Sequence, residues 1–436
     1  MYDIIVVGTR AAGASTAMLL ARKGYRVLAV DRAEFPSDTL STHQVQVPGV
    51  ALLKRWGLLE EVAASNAPAT RHVRFDPGPV VLEGNFPCFD DVDALYSPRR
   101  TVLDRILVDA ARAAGAEVRE RFTVDDLTTD GGRVTGIRGR SGCGGAAAVT
   151  ESARLVVGAD GKRSMVANAV RANMYHVKPA LSMAFYTYWE GLEPEGGEIY
   201  ARDRRAIGAW PTNDGLVMTY VAWPTAEFDG FRLNVEDNFL RTLDLAGDLG
   251  LRARNGRRVA PIRGTTDLPN FFRKPCGPGW ALVGDAGLVM DPITGHGIGH
   301  AFRQAELLSA AFDAGMRGDR PLDAGLAAYQ RQRDAEILPI YQLTTELASF
   351  QPARMEQQIL FASIAEKPAE TDRFLGMLTG CIPIRDYFHP TNLLRIMGAR
   401  GLARLAVSKL RRARTAGHAT PRGAPHDEPC RNDESA

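Results

Sequence analysis

Residues 2–13, Tyr2-Asp3-Ile4-Ile5-Val6-Val7-Gly8-Thr9-Arg10-Ala11-Ala12-Gly13, decide the fold. Four consecutive apolar residues, Ile4 to Val7, read as a strand buried on both faces. A glycine turn follows at once. It opens a helical stretch, Ala14 to Lys23, whose small residues Ala14, Ala17 and Ala21 let helix and sheet lie close. Gly24 ends that helix, and a second apolar run, Val27-Leu28-Ala29-Val30, ends in Asp31. Strand, helix and strand closed by an acidic residue form the layout of a dinucleotide-binding fingerprint. Gly8 makes the tight turn and Gly13 lets the helix pack. The free N–H groups around Ala12 and the positive dipole end of the helix are offered to a pyrophosphate. Asp31, with Arg32 beside it, is placed to accept hydrogen bonds from a ribose. The middle glycine of the pattern is Arg10 here. Its side chain either crowds the approaching phosphate or swings out and neutralises it; the sequence leaves both open.

Outward from this unit, the chain has 436 residues, room for two or three structural units. With 45% hydrophobic and 24% charged residues the composition is that of an ordinary globular protein. A net charge of +2 gives no electrostatic case for nucleic acid or an anionic membrane. No basic region or cleavage-site pattern opens the sequence, and no apolar run approaches membrane-spanning length. Five cysteines (Cys88, Cys143, Cys276, Cys381, Cys430) are scattered and never in C-x-x-C spacing. They argue for a reducing compartment, hence the cytoplasm, without a structural zinc or a disulfide framework.

Further along, a polar loop from Phe35 to Gln44 precedes a helix over about residues 48–56. Residues 71–97 read as strands and loops of a different layer. Leu103, Ile106, Leu107, Ala110, Ala111 and Ala114 recur at helical spacing after Arg100. Residues 141–148 read as a flexible loop tip. Arg154-Leu155-Val156-Val157 is a buried strand that empties into Gly158-Ala159-Asp160-Gly161, and Trp280-Ala281-Leu282-Val283 empties into Gly284-Asp285. Between them lie aromatic, strand-prone runs at residues 184–189 and 215–223. The turn Thr212-Asn213-Asp214-Gly215 joins the second run to residues 206–210 as a hairpin. The expected architecture is α/β: a Rossmann-like dinucleotide-binding domain of residues 1–70, 98–170 and 262–340, with an inserted antiparallel β-sheet domain of residues 71–97 and 171–261, where a substrate pocket is expected. A helical C-terminal region, 341–410, and a disordered tail, 411–436, complete it.

Three buried strands thus end in a Gly/Asp turn, at Gly8–Gly13, Gly158–Gly161 and Gly284–Asp285. Ligands of open α/β sheets bind beyond the carboxyl ends of the strands, so three such turns imply one extended ligand met repeatedly. With these motifs in this order the chain resembles the group A FAD-dependent monooxygenases, the para-hydroxybenzoate hydroxylase-like superfamily. That superfamily also holds geranylgeranyl reductases and flavin-dependent halogenases. The resemblance implies that Gly8, Gly13 and Asp31 hold the ADP half of FAD. It places Arg100 on the flavin side and Val124 beside the adenosine half through its backbone. Asp160-Gly161 matches a motif associated with FAD and NAD(P)H, and Asp285 of Gly284-Asp285 is expected on the ribityl chain. Pro292, Gly295, Gly297 and Ile298 match the turn beside the isoalloxazine ring, where a helix start would face the anionic edge of reduced flavin.

The departures are as informative. The hydroxylases carry histidine after Gly-Asp-Ala, whereas this chain has Gly287. Asp291-Pro292-Ile293-Thr294-Gly295 is closer to the reductase and halogenase style, yet the halogenase Trp-x-Trp-x-Ile-Pro signature is absent. Val221-Ala222-Trp223-Pro224 does not satisfy it, and no cysteine pair near residue 40 points to the reductases. His43 and His296 are the candidates for acid–base work at the ring. His300 shares a helix face with His296, but without a third ligand the pair implies no metal. Tyr186, Tyr188, Trp210 and Tyr220 are candidates to line a substrate pocket, with sheet core as the plain alternative.

The expected function is an NAD(P)H-dependent FAD monooxygenase. It would hydroxylate or epoxidise a small organic substrate, aromatic or polyketide-like, with O₂ through a flavin hydroperoxide. The alternatives are a flavin-dependent reductase of C=C bonds, a flavin-dependent halogenase, or a non-catalytic flavin-binding protein.

Overall fold

The computed structural model describes residues 1–142, 147–398 and 401–403. The centre of the expected loop tip, Cys143, Cys430 and the expected tail at 411–436 lie outside the described residues. In chain order the elements that matter are β1 (Tyr2–Val7), α1 (Ala11–Ala21), β2 (Val27–Val30), α2 (Val47–Arg55), α3 (Arg100–Ala113), β3 (Glu117–Arg119), β4 (Val149–Gly158), β5 (Ser182–Glu190), β6 (Arg205–Pro211), β7 (Val217–Pro224), β8 (Trp280–Leu282), α4 (Gly297–Met316), α5 (Leu322–Leu347) and α6 (Pro368–Thr379).

Five of these strands form a parallel sheet in the order β8-β4-β1-β2-β3. β1 from Ile4, β2, β8 and the end of β4 are buried on both faces, as their unbroken apolar runs require, while β3 is the more exposed edge. Ile4, Val6, Ala29 and Leu155 join the core with α1, while Ile5, Val7, Leu28 and Val156 pack on the other side with Phe122, Ile137 and Val166. Full burial of each such side chain contributes about 1.5–3 kcal/mol relative to exposure. α2 crosses α4 in backbone contact: a Cβ at Gly49 would stand 3.1 Å from the Gly299 Cα.

The inserted sheet has β5 paired antiparallel with β7, and β7 with β6, with Trp210 opposite Met218 across the expected hairpin. The strand Gly197–Arg202 continues it antiparallel to β6 and then pairs in parallel with His72–Asp76. The sheet is therefore antiparallel except at that one junction, where chain from the 71–97 segment enters beside chain from the later insertion. Alternation along the strands divides its faces. Tyr186, Tyr188, Trp210, Met218 and Tyr220 join the core shared with the nucleotide-binding sheet. Trp189, Ile207, Ala209, Val217 and Val221 pack instead with Phe239, Leu243 and Leu249.

The C-terminal helices close the remaining edge. The Asp372 carboxylate of α6 accepts from the Asn85 N–H at 2.8 Å, so α6 lies along the strand Leu82–Asn85. Among the described residues no helix is long and apolar enough to cross a membrane.

Candidate functional site

Register brings the three Gly/Asp turns to one edge. Val7 sits opposite Val30 on one side and Gly158 on the other, and Gly158 sits opposite Leu282. The residues that follow these four, Gly8, Asp31, Ala159 and Val283, therefore leave the sheet together. Gly8 has φ +93°, and a Cβ there would stand 2.5 Å from the Ala159 carbonyl oxygen. A Cβ at Gly13 would stand 1.8 Å from the Gly8 carbonyl oxygen, which is how closely α1 docks on its own turn. α1 has no side-chain cap. Its first ladder bond runs from the Ala14 N–H to the Arg10 carbonyl, so the N–H groups of Ala11, Ala12 and Gly13 are left for a ligand.

The side chains at this edge differ in how far they are already committed. The Asp31 carboxylate accepts from the Thr9 N–H at 2.7 Å and the Ala33 N–H at 2.8 Å, bracing the turn, while Arg32 is exposed. Asp160 accepts from Ser164 Oγ at 2.6 Å and the Met165 N–H at 2.6 Å, fastening the short helix Met165–Ala169; Gly161 follows at φ +79°. Burial raises the Asp160 pKa against those bonds. Val124 is half-buried in the strand Phe122–Asp130, opposite Gly139. Gly284 has φ +59°, and a Cβ there would meet the Ala12 Cβ at 2.7 Å, so this turn rests on the start of α1. Asp285 is exposed and takes no hydrogen bond from the described residues. The space left by Gly287 is filled by Arg333, whose Nη1 would be 3.1 Å from a Cβ and which donates to the Gly287 carbonyl at 3.2 Å. Arg333 is fully buried, and Arg273 Nη1 likewise donates to the Ala286 carbonyl at 2.9 Å.

A cleft lined by Gly284, Asp285, Met290, Gly297, His300 and Gln304 continues to the start of α4. Pro292 opens a single 3-10 turn, Pro292–Thr294, and Gly295 reverses the chain at φ +65°. A Cβ at Gly295 would stand 2.1 Å from Gln44 Oε1. Gln46 Nε2 donates to the Thr294 carbonyl at 3.2 Å, so the loop after β2 is seated on this turn. Gly297 is exposed, with nothing within 4 Å of a Cβ. α4 is uncapped by any side chain, and its first ladder bond is His300 N–H to the His296 carbonyl. Gly297, buried Ile298 and Gly299 therefore have N–H groups free of the helix ladder, with open space at Gly297.

His296 points elsewhere. Its Nε2 donates to the Leu378 carbonyl of α6 at 2.9 Å, and burial lowers its pKa to about 4. It stacks on His300 with ring centroids 5.2 Å apart.

His43 lies in the loop after β2 at φ +62°, a left-handed conformation that costs a non-glycine residue about 1 kcal/mol or more. It is 0% exposed. Its Nε2 bonds the Tyr188 hydroxyl, its ring stacks on Tyr188 at 5.7 Å, and it meets Tyr186 edge-on at 5.7 Å. Burial first, then the Arg100 and Arg99 charges, lower its pKa to about 3. The Arg99 guanidinium lies 5.2 Å over the Tyr188 ring. Tyr186 faces Tyr220 across the β5–β7 ladder. His43 Nδ1, Gln46 Oε1 and the hydroxyls of Tyr186 and Tyr220 are all buried without a hydrogen-bond partner. Each such group costs about 1–3 kcal/mol if nothing meets it, and four in one neighbourhood mark a place built for a polar ligand. Trp210 differs: its ring fills the space over Gly197, as core. Trp223 donates to Thr242 at 2.9 Å and carries Arg205 3.5 Å over its ring, on the opposite face.

Residues not singled out from the sequence complete the site. Asp104 accepts from both Arg100, at 2.8 Å, and Arg10, at 2.8 Å; its i+4 spacing from Arg100 was the available signal. Asp291, 1% exposed, bonds Ser182 Oγ and accepts from the Ile293 N–H at 3.0 Å. Burial raises its pKa to about 6 against both bonds. The Asp-Pro pair was the available signal for its capping of the 3-10 turn, and nothing local points to Ser182.

The cradle thus consists of uncapped helix starts, close glycine approaches and a carboxylate without a hydrogen-bond partner among the described residues, and the chain is similar to the following known proteins. A tryptophan 2-halogenase of Chondromyces crocatus is 26% identical over 75% of this chain, which spans 64% of that protein. A kynurenine 3-monooxygenase of Salinispora arenicola is 27% identical over 86% of this chain and 84% of its own length. The solved structure of a flavin-dependent brominase superposes with a TM-score of 0.77 at 18% identity, covering 94% of this chain and 99% of that one. A probable FAD-dependent monooxygenase from Pseudomonas aeruginosa gives 0.67 at 20% identity over 86% and 98%. The two structures share the fold, the Rossmann-type domain with its inserted sheet and C-terminal helices. The FAD binding domain family matches residues 1–229, more than half of the chain, and this protein belongs to that family of FAD-dependent oxidoreductases.

Proposed function

We propose that this chain is an NAD(P)H-dependent monooxygenase that transfers oxygen from O₂ to a small organic substrate held between β5, β7 and the start of α4. The reading rests on the four unpaired polar atoms of His43, Gln46, Tyr186 and Tyr220, buried beside a helix start that offers free N–H groups. The similarity to a kynurenine 3-monooxygenase over most of both chains supports it.

Bound FAD supplies two-electron exchange with a nicotinamide and with O₂. The protein's part is to bind, orient and keep water out. The N–H groups of Ala11, Ala12 and Gly13 and the Arg10 cation would hold the phosphates, and Asp285 would accept from the ribityl hydroxyls. Gly297, Ile298 and Gly299 donate towards the ring and favour negative charge there. The loop 35–46 and the aromatic face of β5 and β7 would keep water out of the space at the start of α4. His43 stays neutral, and its Nδ1 is the atom left to meet a polar group of the substrate.

A halogenase is the second reading, favoured by the tryptophan 2-halogenase relative. Flavin absorbance and O₂ uptake with NADPH decide between them across a substrate screen, with and without chloride or bromide. Halide-independent oxygenated product supports the monooxygenase. Product formed only with halide replaces it with the halogenase. Saturable substrate reduction without O₂ uptake leaves a reductase, and bound FAD that no donor reduces removes the enzymatic reading.

A further inference from the structure

The fingerprint's missing glycine has a structural use. Arg10 has φ −81° and ψ −163°, an extended backbone that any residue adopts, so glycine is not required there. Its side chain leaves the turn toward α3, where all four terminal N–H groups are taken. Nη1 donates to the Asp104 carboxylate at 2.8 Å and to the Ser37 carbonyl at 3.1 Å. Nη2 donates to Ser37 Oγ at 2.7 Å and to the Asp38 carbonyl at 3.2 Å. The guanidinium also lies 5.5 Å over the Phe35 ring.

Most of these contacts fall on the first residues of the strap 35–46, the segment that seats His43 under Tyr188. The strap has no secondary structure of its own beyond an isolated bridge between Val45 and Tyr96. Around its start it is held otherwise by Arg105 Nη1 to the Phe35 carbonyl at 3.1 Å, by the Phe35 N–H to Glu120 at 3.1 Å, and by the Asp38–Arg263 ion pair at 2.9 Å. That pair is partly exposed on both sides and therefore weak.

Asp104 is fully buried and serves two arginines, Arg10 and Arg100. Arg10 therefore shares its one carboxylate with a second guanidinium, which also interacts with Asp285, and stands against the N-terminus of α1, itself the positive end of a helix, so its own charge is only part-compensated. A partly buried cation without its full counter-charge is costly, and a phosphate at this helix end supplies what is missing. Arg10 Nε–H makes none of the contacts above, so a phosphate can be met without drawing the guanidinium off the strap.

We propose that Arg10 is a positioning residue that couples FAD binding to the seating of the strap 35–46, and through it to the placement of His43. Cofactor phosphate compensates the Arg10 charge and tightens the guanidinium's hold on Ser37 and Asp38. By reciprocity, a seated strap raises the affinity for FAD. This coupling does not depend on which reaction the flavin carries out.

The test is amide hydrogen exchange over residues 36–46, with and without FAD, in the wild type, Arg10→Gly and Arg10→Lys. FAD binding is followed separately by quenching of flavin fluorescence, and exchange of β1 and β2 reports that the fold is kept. In the wild type FAD slows strap exchange at least about tenfold. In R10G the strap exchanges at least about tenfold faster than wild type without cofactor, and FAD no longer slows it. R10K falls between, since one ammonium cannot serve four acceptors in a fixed fork. A strap in R10G as protected as wild type, or one that FAD still slows to the wild-type extent, overturns the proposal. Should R10G bind no FAD, the cofactor-free comparison decides alone.

Discussion

Replacing Asp291 by asparagine isolates the energetics of the turn at the start of α4. Burial raises the Asp291 pKa from 3.8 to about 6, although Ser182 Oγ and the Ile293 N–H both favour the charged form. Between those values the native protein holds a proton that the unfolded chain has already released. Stability from this group is therefore full at low pH and falls as pH rises through about 6. The gap amounts to about 3 kcal/mol, lost at no more than about 1.4 kcal/mol per pH unit. The substituted asparagine does not titrate. Its Oδ1 still accepts from Ile293 and its amide donates to Ser182, so the cost of substitution itself is independent of pH. Urea unfolding followed by intrinsic fluorescence, at matched FAD concentration, gives the stability of both proteins from about pH 4 to about pH 7. The difference between variant and wild type shifts by about 2.5 kcal/mol in favour of the variant over that range, the rest of the gap lying below about pH 4. A difference constant within about 0.5 kcal/mol would mean that Asp291 is ionised in the fold, and the desolvation argument would be refuted.

Gly297→Ala separates cofactor binding from folding, because a Cβ there meets nothing within 4 Å. Stability holds or rises by up to about 1 kcal/mol, while the Kd for FAD rises at least about tenfold; unchanged FAD affinity would dissociate the start of α4 from the cofactor. Gly13→Ala does the opposite: its Cβ would lie 1.8 Å from the Gly8 carbonyl oxygen. Thermal unfolding of the FAD-supplemented protein then shows a loss of about 3 kcal/mol or more, and a wild-type melting profile would contradict the close docking of α1. His43→Asn removes a group whose pKa is lowered to about 3 while keeping a residue that tolerates positive φ. The wild type loses stability as pH falls from about 6.5 towards 3, since the unfolded chain takes a proton that the native His43 refuses; the variant's acid limb is flatter, and parallel limbs would exclude a buried neutral His43.

Much of the nucleotide-binding half was legible in the sequence because its signals are local. Runs such as Ile4–Val7 and Val27–Val30 are apolar throughout, and the glycines after them mark the turns. Three such turns in order point to one extended ligand; the family resemblance they carry implies FAD, and the family match bears that out. The pocket was legible only in part. The aromatic alternation of β5 and β7 nominated Tyr186, Tyr188 and Tyr220, but it gave the same weight to Trp210, which fills the space over Gly197. His296 was nominated by its place beside the flavin turn, yet its bonded nitrogen is turned to the Leu378 carbonyl. That choice depends on α6, which no pattern near residue 296 announces.

Local pattern sets the period of each element and the strand ends that release glycine and aspartate towards one extended ligand. Which side chains meet is settled by the packing of the whole chain. The strand register that lines up Val7, Val30, Gly158 and Leu282, the sharing of Asp104 by Arg10 and Arg100, and the seating of His43 on Tyr188 all join residues far apart in the chain. Local propensity carries no information about such pairs. They are fixed when burial of two sheet faces and satisfaction of the buried charges select one packing, and that packing determines whether an arginine in a glycine's place blocks the site or organises it.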